Sequence, residues 1–127
     1  MVEYLVKAAP GFIKSKTYSV DLDGDHSEFL DMDIFVYASF GRYLGELVER
    51  AAREGRESRE LVTAFAVIET ISQSEDSHVL NVLTTGTYET VDSLEPDELF
   101  SRVVNRLGPS ARKVWDRWMP LISSRKP

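Results

Sequence analysis

The residues best equipped for chemistry in this chain are the alternating carboxylates of Asp21-Leu22-Asp23-Gly24-Asp25. They match the first five places of an EF-hand loop, where carboxylates at every second position converge on calcium. The remainder of that loop is missing. Its sixth place needs Gly for the sharp turn and holds His26, its eighth needs an aliphatic and holds Glu28, and its twelfth needs a bidentate Glu and holds Met32. The string therefore reads as an acidic loop, and no metal site is expected.

Other reactive constellations are equally thin. The two histidines, His26 and His78, have no His or Cys partner at zinc-ligand spacing, and the absence of cysteine removes disulfides, thiolate metal sites and thiol catalysis. Neither a Gly-x-Ser-x-Gly elbow nor a Gly-rich phosphate loop occurs, and Gly86 and Gly108 stand alone. Carboxylate pairs are too numerous in an acidic helical protein to mark a general acid and base. The expected class is a protein without catalysis and without cofactor.

Charge is the stronger signal. The 127 residues carry a formal charge of −6, which disfavours direct binding to nucleic acid or to an anionic membrane and favours a basic partner. No Lys or Arg lies between Arg59 and Arg102, where Glu60, Glu69, Glu75, Asp76, Glu89, Asp92, Glu95, Asp97 and Glu98 stand unopposed. A second such stretch, between Lys16 and Arg42, holds Asp21, Asp23, Asp25, Glu28, Asp31 and Asp33. From Arg102 onward seven bases face Asp116 alone, so a basic end follows an acidic body. Either the two ends neutralise one another within the fold or the acids form a docking surface. On the second reading the surface comprises Asp21, Asp23, Asp25, Glu28, Asp31, Glu75, Asp76, Asp92 and Asp97.

Hydrophobic spacing supplies the elements that would hold those residues. Ile34, Tyr37, Leu44, Val48 and Ala51 recur with a helical period from Asp33 to about Arg53, with Asp31 or Asp33 to cap the start and Gly55 to end it. A second helix runs from Ser58 to about Gln73 through Leu61, Phe65 and Ile68. Ser77 caps a third, with Leu80, Leu83, Thr87 and Val91 in its stripe. Its interior Thr84-Thr85-Gly86-Thr87 is poor in helix formers, so burial has to supply what propensity does not. Glu95-Pro96-Asp97-Glu98 opens a fourth through Leu99, Phe100, Val103, Val104 and Leu107. Ser110 caps a last one through Ala111, Val114, Trp115, Trp118 and Ile122, whose tryptophans suit core packing with their edges at the surface. A short helix near Val2 to Ala9 precedes a loop from Gly11 to Gly24.

Turns of two to five residues make sequence neighbours antiparallel. The expectation is a single all-α domain of five to six helices, a bundle or short HEAT-like stack. Residues 1–32 form its N-terminal helix and acidic loop, 33–122 its helical core, and 123–127 a basic tail. Glu69 and Glu89 sit beside apolar stripes and need partners at a helix start or at Asn81 to be tolerated there. The acid at Glu3 and the break at Pro10-Gly11 argue against a signal peptide, and apolar runs of the length of Ile34–Ala38 fall far short of a membrane span, so a cytoplasmic setting is expected.

One resemblance follows from Phe65-Ala66-Val67-Ile68-Glu69, the Glu75-Asp76 turn, Val79-Leu80-Asn81-Val82-Leu83, Tyr88-Glu89, Leu107-Gly108-Pro109-Ser110 and Trp118 in that order. The chain resembles a family of small all-helical bacterial proteins of uncharacterised biochemistry, some of which look like immunity proteins of polymorphic or contact-dependent toxin systems. The resemblance implies a stoichiometric inhibitor that covers a basic toxin or nuclease-like domain. The alternative is an acidic inhibitor of a nucleic-acid-binding complex that imitates phosphate charge.

Overall fold

The computed structural model describes residues 2–15, 32–123 and 125. Their order is α1 (Val2–Ala8), α2 (Pro10–Ile13), α3 (Met32–Glu54), α4 (Arg59–Ser72), α5 (Ser77–Val82), a π-helical segment (Leu83–Tyr88), α6 (Glu89–Asp92), α7 (Asp97–Arg106) and α8 (Pro109–Ile122). No strand occurs among the described residues, so the all-α expectation holds. None of the described helices is long and apolar enough to cross a membrane.

The long helix α3 is the axis of the fold. It packs against α1, α4, α7 and the whole rod formed by α5, the π-helical segment and α6. That enclosure explains why its expected stripe is too narrow. Phe35, Val36, Tyr37, Ala38, Ser39, Phe40 and Gly41 are buried in succession, because a helix surrounded by others has no solvent face over that length. Toward its C-terminus Arg42, Glu49, Arg53 and Glu54 are exposed. Gly55 ends it at φ +74°, a conformation glycine adopts without cost, and its amide donates to the Ala51 carbonyl.

The third predicted helix is present but is not α-helical throughout. Leu83–Tyr88 widens to a π-helix over the run of Thr and Gly that lacks helix formers. Packing holds it in place. A Cβ on Gly86 would lie 2.7 Å from the Tyr37 Cβ and 2.9 Å from the Ile34 carbonyl, and one on Gly41 would lie 2.7 Å from the Thr87 carbonyl. The two backbones therefore touch, and the buried Thr87 hydroxyl donates to the Tyr37 carbonyl at 2.6 Å. Ordering three threonines and a glycine is offset by this contact and by the burial of Leu83 and Tyr88.

Local starts differ in detail from the sequence reading. Ser58 caps α4 as expected, accepting from the Leu61 amide at 3.2 Å. The cap of α5 is Asp76, not Ser77, and accepts from the His78 amide at 2.9 Å. Pro10 does not end ordered structure but opens the short turn α2, where its missing N–H costs nothing. Asp33 lies within the first turn of α3.

Candidate functional site

Folding spends many of the charges that looked available. Arg106 grips Glu57 with two hydrogen bonds, of 2.6 and 3.2 Å. Arg102 reaches Glu98 at 2.8 Å, Arg50 reaches Glu46 at 3.5 Å, Arg53 reaches Glu49 at 3.7 Å, and Arg112 reaches Asp116 at 3.1 Å. Arg125 closes over the α6–α7 turn, donating to the carbonyls of Asp92 and Leu94 and to the Asp97 carboxylate, with its guanidinium over the Phe100 ring at 4.0 Å. The basic end thus folds back onto acids of the preceding elements.

The nine acids expected to form one surface separate accordingly. Asp21, Asp23, Asp25, Glu28 and Asp31 lie outside the described residues. Asp92 is corrected: it is buried, and its carboxylate accepts from the Ser123 hydroxyl at 2.6 Å, because the end of α8 crosses directly over it. Asp97 is exposed but shared with Arg125. Glu75 and Asp76 occupy the exposed α4–α5 turn and, among the described residues, form no ion pair. Asp76 also caps α5 with one carboxylate oxygen.

Glu69 does what its place beside an apolar stripe required. Its two oxygens accept from the amides of Ser110 at 3.0 Å and Ala111 at 2.8 Å, so this carboxylate from α4 caps α8 in place of Ser110 itself. Burial pushes its pKa up, but the Ala111 and Ser110 amides, with the Ser110 and Gln73 side chains, outweigh that and hold it below the ordinary glutamate value. Gly108 has no Cβ because one would stand 2.7 Å from the Glu69 carboxylate. Glu89, expected like Glu69 to need a partner beside its apolar stripe, is instead exposed to solvent.

Nearby, Tyr88 joins three elements. Its hydroxyl lies 3.0 Å from the Ser72 hydroxyl and 3.2 Å from the Ala111 carbonyl, while Ser72 donates to Ile68 at 2.7 Å. Burial drives its pKa well above the ordinary tyrosine value, so the hydroxyl remains a donor. Trp115 packs edge-on against Tyr88 at 5.3 Å and near Phe100 at 5.9 Å. Both groups are joints between helices.

Helix α8 also corrects an expectation. Its buried residues are Ala111, Trp115 and Met119, four apart, whereas Trp118 and Ile122, assigned to the same stripe, are exposed together with Leu121. With Leu80, Asn81 and Thr84 they line a cleft of about 430 Å³. The signal was readable in the spacing of Trp118, Leu121 and Ile122, an apolar row of its own offset from the buried one. Arg117 lies over the Trp118 ring at 5.1 Å. No group of three His, Cys, Asp or Glu able to hold a metal occurs among the described residues.

Comparison with curated proteins and with solved structures finds no match. The model of a family described as a domain of unknown function, DUF7674, matches residues 2–121, and the chain therefore belongs to that family.

Proposed function

We propose that this protein is a non-enzymatic, protein-binding inhibitor, an immunity protein of the bacterial cytoplasm that neutralises a basic toxin domain. The observation that carries the reading is the Glu75–Asp76 turn. Its two carboxylates are exposed and unpaired among the described residues, while Glu57, Asp97 and Glu98 are engaged by arginines of the same chain. Unengaged charge at a turn is free to steer an oppositely charged partner and to fix its orientation. The clusters that could have been reactive serve as helix joints, which fits a stoichiometric role.

The test begins with the product of a toxin-like reading frame adjacent to the gene for this chain. Co-expression should abolish its toxicity, and the purified pair should associate with a rate that falls steeply as salt rises. Glu75→Lys should slow association by roughly three- to tenfold at low salt, leaving dissociation nearly unchanged. Persistent toxicity sinks the inhibitor reading, and an on-rate indifferent to Glu75→Lys removes the turn from the interface.

A further inference from the structure

The cleft between α5 and α8 gathers exposed apolar side chains on one wall. Among the described residues, three of the six exposed large apolar side chains stand on its α8 wall: Leu121 is 77% exposed, Ile122 48% and Trp118 40%. A row this exposed, beside an apolar hollow of about 430 Å³, costs hydration free energy that a covering surface would recover. The row forms one wall of the hollow and is itself largely exposed, so both belong to one continuous patch. That combination is what an isologous twofold contact needs, since the same patch must supply both knob and hole.

Charge decides among possible covers. The α5 wall starts at Ser77, directly after the carboxylates of Glu75 and Asp76, and the same rod carries exposed Glu89 beyond Thr85. Beside the opposite wall Arg117 lies over the Trp118 ring, with Lys113 exposed one turn earlier on α8. A uniformly basic partner would meet Arg117 and Lys113 there, and a uniformly acidic one would meet Asp76 and Glu89. A second copy, rotated by a twofold axis, sets its basic wall against the acidic wall of the first and its apolar row into the first copy's hollow. We infer that this chain forms a symmetric homodimer through the α5–α8 cleft, the Trp118–Leu121–Ile122 row of each copy seating in the hollow beside Leu80, Asn81 and Thr84 of the other. The carboxylates of the Glu75–Asp76 turn border the acidic side of this contact, but the seating of the apolar row does not rest on the partner reading of that turn and survives if that reading fails.

Sedimentation equilibrium of the purified full chain tests it. The expected result is a reversible monomer–dimer equilibrium. Leu121→Lys alters a side chain that touches little in the monomer, so thermal unfolding should stay put while dimer dissociation weakens at least tenfold. Asn81→Glu, on the exposed rim of the hollow, should do the same. Mixing the two variants should restore the dimer, because one of its two contacts is then wild type and the other sets the introduced lysine against the introduced glutamate across the seam. A strictly monomeric wild type at several hundred micromolar overturns the inference. So does a dimer unmoved by Leu121→Lys, or a mixture no tighter than either variant alone.

Discussion

Replacing Glu69 probes how α8 is held, and its size can be worked from the geometry. The carboxylate accepts from two first-turn amides of α8, at 2.8 and 3.0 Å. Hydrogen bonds to charged groups contribute about 1.5–3 kcal/mol each, which sets an upper bound of about 3–6 kcal/mol for removing both. Glu69 is only partly buried, so water recovers much of that once the side chain is gone. Loss of an ordinary N-cap costs about 0.5–2 kcal/mol. For Glu69→Ala the expected loss is therefore about 2 kcal/mol, which for a domain of this size lowers Tm by about 8 °C. Glu69→Gln keeps one acceptor but turns an NH2 toward the second amide, and should lose about 1 kcal/mol. Urea unfolding at pH 7, followed by circular dichroism and by the fluorescence of Trp115 and Trp118 on α8, measures both. The pH dependence supplies a second check. Because the folded pKa of Glu69 lies below 4.5, its stabilisation is present at neutral pH and is lost as pH falls through and below that value. The gap between wild type and Glu69→Gln should therefore narrow on acidification. A cost for Glu69→Ala under about 0.5 kcal/mol, or a gap that stays constant with pH, would refute the capping account.

Gly86→Ala should destabilise by about 2 kcal/mol although alanine is the better helix former, because its Cβ would stand 2.7 Å from that of Tyr37; Gly55→Ala, in open space at φ +74°, should cost about 1 kcal/mol, and calorimetry that reverses this order rejects the backbone contact. Tyr88→Phe removes the hydroxyl that bridges Ser72 and the Ala111 carbonyl and should lose about 1 kcal/mol at neutral pH. The raised folded pKa of Tyr88 makes wild-type stability fall as pH rises above its ordinary value of 10.0, and urea midpoints should show a shallower alkaline decline in the Phe variant. Arg125→Ala frees the chain from the carbonyls of Asp92 and Leu94, and hydrogen exchange should quicken at the α6–α7 turn while α3 stays protected.

Helix positions were legible because their signals are local. Ser58 before an apolar run and Gly55 after one fix α4 and the end of α3 within a residue or two. Which face is buried depends on how many neighbours a helix has, and nothing local tells that Phe35 to Gly41 would be enclosed on every side. The π-helical segment was visible only as weak helix propensity at Thr84-Thr85-Gly86, since its cause is the approach of α3 from 50 residues away, seen in the bond from Thr87 to Tyr37. Glu69 drew notice for a physical reason, as a carboxylate beside an apolar stripe needs donors, and the α8 amides provide them. Arg125 gave no such sign because its partners lie 28 to 33 residues earlier and meet it only after α8 has docked.

Charge taught the converse lesson. Runs of acids without bases suggested a wide acidic face, yet a run in sequence becomes a patch in space only if no base from elsewhere folds onto it. Here Arg106 of the basic end reaches Glu57, Arg125 reaches Asp97, and Asp92 is buried beneath Ser123. Most of these ion pairs are exposed and contribute about 0–1 kcal/mol each, so their main effect is on the field outside the molecule and not on stability. Together these contacts subtract Glu57 from the α3–α4 turn and Asp92 and Asp97 from the α6–α7 corner, and leave the acids of the α4–α5 turn. The same reasoning makes α8 two-sided: Arg112 is offset by Asp116, whereas Lys113 and Arg117 remain beside an exposed apolar row, across the cleft from a wall that starts directly after the carboxylates of Glu75 and Asp76. A surface that carries both signs in register with its own hollow is matched better by itself than by a partner of single sign. The acidic turn borders the cleft, so Glu75→Lys should slow partner association and also weaken self-association, whereas Leu121→Lys should weaken self-association alone.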